Sequence, residues 1–538
     1  MPVRRGEFFA TDNQMDSLVP AASKKEFYPP SPVDKTPPPD PSLVLLVNPG
    51  PLSCELPCEL VKHLFESAAW DINLLPPAPR VLAYCICAQA SSISFHPTII
   101  GPGPKPESFS DRYVLFRGAD LRAYGARRAP VFRALHERAL IVAFETRIHL
   151  EVSDYSTASC FVLETLEECE SLRSSSTGSR LTDIAATSSS RPWAVTYMSH
   201  LRSLAGTWTG STDETDALWA GLLMADASTA ILQRKPVLIT HADQLLITGS
   251  EPPSLESILE TLLPMAQTAK NAVQLTWTGV RPFFFHVTRL ARELYEKITG
   301  DYARRHPISE ASVINFISAL TTLRSIVSLL FTQIDFQVDP NPVSKDLSGV
   351  RPADRIDEAV RSAIFGMSVG FTSLVLALHR EMEYRAVADS RDGIQSEWTL
   401  ARTALLRRQA HSLASDAVED VARTFKLIPY PPQTMHLGWN GIRGWAEFCL
   451  NEADAAGGIP PARIVAFGCL LDTLKALGYS RNNPELHALI ERMDTHAAAS
   501  ASADSFPTDI SALSDITFSL DNTWPGIFSM DLGDGNLI

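Results

Sequence analysis

Histidine, cysteine and clustered carboxylates are where chemistry would have to begin in this chain, and their spacing does not gather them. The thirteen histidines never fall into an H-E-x-x-H register, which would set two imidazoles on one helical face around zinc. Cysteines stand at 54, 58, 85, 87, 160, 169, 449 and 469. Cys54 and Cys58 form a C-x3-C and Cys85 and Cys87 a C-x-C, and neither is the C-x2-C pair of a closed zinc site. Met1 to Asp16 carries charges of both signs and no apolar run. No secretory leader is read there, so reduced, buried thiols are expected. The nucleophile elbow G-x-S-x-G and the phosphate loops G-x-x-x-x-G-K-[ST] and G-x-G-x-x-G are missing. His241 and Asp243 are two residues apart and so do not share a helical face. Asp243 therefore reads as a helix cap. Phe283, Phe284 and Phe285 ahead of His286 read as aromatic core. No catalytic, metal-binding or DNA-binding residue is assigned, and no enzyme activity is expected.

The elements around these residues are helical, and the stretch from Leu218 to Leu263 organises them. Between Asp216 and Arg234 its only charge is Asp226, on a helix pattern apolar nearly all round, as in an element buried within a larger protein. Arg234 and Lys235 put positive charge at its end, and Pro236 is expected to stop it. Val237, Leu238 and Ile239 then cross in extended form. A short helix follows, with Thr240 as N-cap, Asp243 in its first turn and Gly249 beyond its end. Pro252, Pro253 and Ser254 open a third helix, striped by Leu255, Ile258, Leu259, Leu262 and Leu263. Asp226 on so apolar a helix is expected to pair with a base from a neighbouring helix.

The rest of the chain extends this pattern. Helices are read over 81–95, from Tyr124 to Glu151 with Pro130 near the start, from Ser156 to Glu170, and again from Pro192. Pro264 is expected to end one helix and open the next. Apolar stripes continue through Val313, Phe316, Ile317 and Leu320, then through Ile356, Val360, Ile364, Met367, Phe371 and Leu374. Ser362 to Leu378 is uncharged but shorter than the ~20 residues of a membrane span. The Arg-rich helix interleaves Arg127, Arg128, Arg133, Arg138 and Arg147 with glutamates, which suits a solvated face better than a nucleic-acid surface. A net charge of −14 also argues against a chain that coats nucleic acid or anionic membrane. No β alternation or repeat period is found. The expected fold is all-α: a large multi-helix domain over 53–495, between a disordered Pro-rich segment at 1–52 and a tail at 496–538.

After Arg492 the chain has no Lys or Arg. Spaced aspartates there separate Phe506, Leu513, Ile516, Phe518, Leu520, Trp524, Ile527, Phe528 and Met530. Such alternation keeps apolar groups solvated and available, the composition of an activation segment that folds on a coactivator. Packing of the tail onto its own domain is the other reading.

Four pieces of the sequence resemble the fungal-specific transcription factor domain, the middle homology region of zinc binuclear cluster factors. They are SRPWAVTYMSHLRSLAG, LWAGLLMADASTAILQRKPVLITHADQLLITGSEPPSLE, HVTRLARELYEKITGDYARR, and WAEFCLNEADAAGGIPPARIVAF with LKALGYS. Trp219, Asp226, Lys235, Pro236, Asp243, Gln244 and Gly249 are the positions in the second piece that carry the likeness. The resemblance covers roughly residues 59–480. It implies a nuclear, non-catalytic transcription regulator that meets coactivators or the transcription machinery and pairs with itself or with related factors. It does not imply a membrane protein. The family's six-cysteine module is not found before residue 59, so zinc is expected only in that absent module and no cofactor in this chain. DNA contact is then expected only indirectly or through a missing module, as in a truncated zinc-cluster protein. The alternative is a helical dimerisation scaffold without transcriptional activity.

Overall fold

The computed structural model describes residues 72–107, 111, 113–116, 118–170, 191–204, 226–248, 250–268, 272–337, 352–392, 397–427 and 439–503. Among them there is no strand, and the architecture is all-α. The longer helices are α1 (Pro77–Ser91), α2 (Arg122–Thr146), α3 (Asp154–Glu170), α4 (Pro192–Leu204), α5 (226–233), α6 (His241–Thr248) and α7 (Leu255–Thr268). They continue with α8 (Ala272–Leu294), α9 (Glu310–Gln337), α10 (Pro352–Asp392), α11 (Glu397–Leu427), α12 (Trp439–Ala456), α13 (Ile464–Leu477) and α14 (Pro484–Ala503).

Two apolar cores follow from these stripes. The larger is centred on α10, whose Val360, Ile364, Met367, Phe371, Leu374 and Leu378 are all buried. Each such side chain stabilises by about 1.5–3 kcal/mol on leaving water. α10 packs on α8, α9, α11 and α12. It runs antiparallel to α11, because Phe365 meets Phe425, His379 meets His411 and Glu383 meets Arg407. By length and composition α9 and α10 could each cross a membrane. The buried stripe of α10 is what a core helix needs. The smaller core joins α1 to α4 through Val81, Cys85, Val142, Leu163, Leu166, Trp193 and Met198.

Several boundaries differ from the sequence reading, each for a local reason. α1 begins at Pro77, which presets φ for a first turn, and ends at Ser91, short of the expected 95. In α2 and α7, Pro130 and Pro264 lie inside the helix. Both are exposed, so water can take the carbonyl that each missing N–H leaves free. α5 does not wait for Pro236. Arg234 turns left-handed at φ 54°, and the Lys235 and Arg234 amides donate back to Ala230 and Ile231, a Schellman closure. Arg147 closes α2 in the same way, also at φ 54°. α14 runs on to Ala503, past the boundary drawn at 495, through an alanine-rich run of high helix propensity. Residues 1–71 and the tail beyond Ala503 lie outside the described residues.

One close approach between the two cores lies where α2 meets the turn after α13. Arg127 and Arg128 face inward, where a solvated face was expected. Arg127 donates to the carbonyls of Ile100, Gly101, Pro102 and Pro104. Arg128, 1% exposed, donates to the carbonyls of Ser94 and Tyr479 and lies 3.6 Å over the Tyr479 ring. Beside it the Gly125 amide donates to the Gly478 carbonyl at 3.1 Å. Gly478 follows α13 with an ordinary helical φ of −55°. It is there for space: a Cβ would sit 2.7 Å from the Arg122 side chain and 2.9 Å from its backbone. A Cβ on Gly125 would lie 2.2 Å from the Gly478 oxygen. Gly125→Val should therefore lower stability by about 1–3 kcal/mol or more, as overpacking against backbone does, read from the midpoint of urea unfolding. An unchanged midpoint would remove this contact from the account.

Candidate functional site

The chain from Lys235 to Thr240 crosses between helices with no neighbouring strand, so its backbone polar groups need other partners. Charged side chains supply them. Asp226, at the described start of α5, accepts from the amides of Leu238 and Ile239 at 2.9 and 3.2 Å through one carboxylate oxygen. Its other oxygen takes Arg191 at 2.6 Å. The Leu238 carbonyl receives Arg202 of α4 at 2.9 Å. The Ile239 carbonyl receives Arg292 of α8 at 2.8 Å.

The same side chains continue outward. Arg191 bridges Asp226 to Glu164 of α3 at 2.7 Å. Glu164 also accepts the Ala194 amide, an otherwise orphaned donor in the first turn of α4. Glu167 accepts the Trp193 indole N–H at 2.8 Å. Arg202 forks onto Asp243 at 3.0 and 2.8 Å. Arg292 reaches Gln244, which is fully buried and donates to the Phe285 carbonyl. Thr240 and Asp243 form a reciprocal capping box, each backbone amide meeting the other's side chain at 2.7 and 3.1 Å.

Electrostatics follow from this enclosure. Burial works against the Arg191 charge, yet Asp226 and Glu164 overcome it and hold the guanidinium above its ordinary value. Arg292 goes the other way, since burial outweighs the more distant acids and lowers it. Burial raises Asp243, but Arg202 and Thr240 prevail and bring its carboxyl down to about 2. These acids and bases are engaged with each other and with backbone. What the arrangement does is hold α3, α4, α5, α6 and α8 together.

Of the positions singled out from sequence, the structure brings Asp226, Asp243 and Gln244 into this knot. Lys235 is half-buried and uses its amide in the α5 closure, and Pro236 is exposed. Trp219 and Gly249 lie outside the described residues, as do Phe506, Leu513, Ile516, Phe518, Leu520, Trp524, Ile527, Phe528 and Met530. Glu164, Arg191, Arg202 and Arg292 were not foreseen. One signal was available: Arg191 stands just before α4, where a helix dipole disfavours a cation, so a carboxylate had to be near.

A second buried charge centre lies one layer away. Glu381, 2% exposed, sits between Arg304 and Arg385. Arg385 also donates to the carbonyls of Ile298, Ala303 and His306 at 2.8, 2.9 and 3.0 Å, closing the turn after α8. Cys85, Cys87, Cys160, Cys449 and Cys469 are buried and form no disulfide among the described residues. Burial pushes the Cys87, Cys160 and Cys449 thiols up to about 12, which is the opposite of a nucleophile's requirement. Among the described residues no group of three or more His, Cys, Asp or Glu is placed to hold a metal ion. Phe283, Phe284 and Phe285 are core, and His286 meets the Pro253 carbonyl at 2.7 Å.

Comparison with family models, with curated proteins and with solved structures found no match for the chain. The site is therefore read on its geometry alone.

Two tests follow. Asp226→Ala leaves Arg191 buried beside one carboxylate and orphans two amides, so it should cost about 3–5 kcal/mol by urea unfolding. A loss below 1 kcal/mol, on the order of a surface pair, would remove the knot from the structural core. The second test concerns pH. Burial lowers His200 and His286, and lowers His379, packed against Phe448 and His411, to about 4. The unfolded chain then binds more protons between the ordinary histidine value of 6.5 and these lower values. Stability should be full above that value and fall as pH drops through this window. His379→Gln should flatten part of the slope of melting temperature against pH. An identical slope would exclude His379 as a contributor.

Proposed function

We propose that the chain is a non-catalytic nuclear regulator of DNA-templated transcription of the zinc-cluster kind, its helical body acting as regulatory domain and its acidic tail as activation segment. The observation that carries this reading concerns the pieces on which the resemblance rests. Piece one supplies Arg191, Trp193 and Arg202, piece two supplies Asp226, Leu238, Ile239, Asp243 and Gln244, and piece three supplies Arg292. Residues from three separated pieces thus meet in one place, through the buried Arg191–Asp226 pair, the more exposed Arg202–Asp243 pair and the Arg292 hydrogen bonds to Ile239 and Gln244. A chance likeness of separate helices would not require that. The fourth piece packs in the same large core through Trp445, Phe448 and Phe467. Coactivators or the transcription machinery are the proposed partners of the tail, and DNA is reached indirectly or through a module beyond this sequence.

One feature favours the dimerisation scaffold as second reading. Along α9 the exposed positions Ala311, Ile314, Asn315, Ser318, Thr321, Ser325 and Thr332 carry no charge, an unusual surface for a helix of 28 residues.

The test fuses the full chain to an unrelated DNA-binding domain upstream of a reporter. Several-fold activation is expected, falling to background when residues 504–538 are removed, with the tagged chain in the nucleus. A silent fusion that self-associates in sedimentation would overturn the transcriptional reading in favour of the scaffold.

A further inference from the structure

α12 lies along the groove between α10 and α11 and stops before that groove does. On α10 it follows one stripe. Gly441 and Gly444 seat against Ser373 and Leu376, Arg380 pairs with Glu447 at 2.8 Å, and His379 meets the Phe448 ring. On α11 it touches Ser415 through Glu452 and His411 through Phe448. α12 ends at Ala456, yet both stripes continue at the three- and four-residue spacing of a helix face. On α10 they reach Tyr384 and Val387, 49% and 53% exposed, and on α11 Arg408, Ala404 and Leu400, the last 43% exposed.

This continuation is a trough with an apolar floor and basic rims. Arg304 lies 3.7 Å over the Tyr384 ring from one side. Arg407 reaches Glu383 at 2.7 Å from the other. The acids nearby are engaged already: Glu381 by Arg304 and Arg385, Glu383 by Arg407, and Asp301 by Arg234. Arg305 and Arg408 are both exposed, and neither makes an ion pair among the described residues. The rims therefore carry spare positive charge on a chain whose net charge is −14.

Helix directions show where the chain leaves the described fold. α12 runs parallel to α10, since Gly441, Gly444 and Phe448 meet Ser373, Leu376 and His379 in order. α14 runs parallel to α12, because Glu485 meets Arg443 and His496 meets Asp454, at 2.6 and 2.9 Å. The C-terminal ends of all three helices thus lie at one end of the bundle, the end where the trough opens. Ala503 closes α14 there, and the 35 residues of 504–538 follow. A flexible chain of that length spans about 30 Å. They include six aspartates, no basic residue and the bulky Phe506, Leu513, Phe518, Trp524 and Phe528.

We propose that residues 504–538 dock in this trough of their own chain. Their apolar side chains cover Tyr384, Val387 and Leu400, and their aspartates face Arg305 and Arg408. Burial of the apolar floor drives the contact, and the rim charges select an acidic occupant. The covalent link keeps the effective concentration high, so a weak contact suffices. The inference concerns how the chain packs on itself, and it holds whether or not the tail activates transcription.

The full chain is labelled with 5-fluorotryptophan, and Trp524→Phe identifies the Trp524 signal among the nine tryptophans by fluorine NMR. The reference is a free peptide of residues 504–538 with the same label. In the full chain the Trp524 line should be shifted from the peptide's position and several-fold broader. The double change Arg305→Glu and Arg408→Glu alters two exposed side chains, so circular dichroism and melting temperature should hold. It should return the line to the peptide's position and width. Val387→Asp should do the same from the floor of the trough. Dilution should leave the native shift unchanged, because the contact is within one chain. The proposal is overturned if the native Trp524 line already matches the peptide or if the trough variants leave a shifted line in place. Loss of the shift on dilution would also overturn it, placing the tail on a second copy.

Discussion

An extended segment inside an all-helical protein has a problem that helices do not: its amides and carbonyls have no ladder to join. The crossing from Lys235 to Thr240 meets that problem with charge. Asp226 receives two consecutive amides, while Arg202 and Arg292 each cover a carbonyl. Ion pairs recruit α3, α4 and α6, and Arg292 brings in α8 through the Gln244 amide. Hydrogen bonds to charged groups are the stronger kind, and an unmet buried donor costs most of its desolvation. The arrangement of five helices around this crossing thus follows from satisfying four backbone atoms.

Much of the fold could be read in the chain because the helices are long and their stripes regular. The spacing of Val313, Phe316 and Leu320, and of Val360, Ile364, Met367 and Phe371, placed the core faces of α9 and α10, and all of these residues are buried. The capping of α6 by Thr240 was legible too, since its signal lies within four residues. Asp226 could be expected to pair, but Arg191 could not be named as its partner. The two are 35 residues apart, and nothing periodic connects them.

The misreadings share a cause. Pro264 was taken to end a helix, an expectation that fails because the proline is exposed and water can reach the carbonyl it leaves free. Gly478, directly after α13, is helical and makes room for Arg122, which its place at a helix end does not reveal. Arginines read as solvated turned out to grip carbonyls of distant loops. Each case depends on what lies across from the residue, and sequence-local rules carry no information about that.

The grip of Arg128 on Tyr479 joins residues 351 positions apart. On a ribosome making roughly 5–20 residues per second, α2 emerges roughly 20–70 s before its anchor exists. Through that interval Arg128 has no Tyr479 carbonyl to reach and the Gly125 surface lies bare. The early helices can collapse on one another through the small core, but the seam on α2 stays open until the last helices arrive. Newly made chains therefore pass through a stage with a preformed amino-terminal unit and an open seam, the stage at which a chaperone or a second chain has its best access.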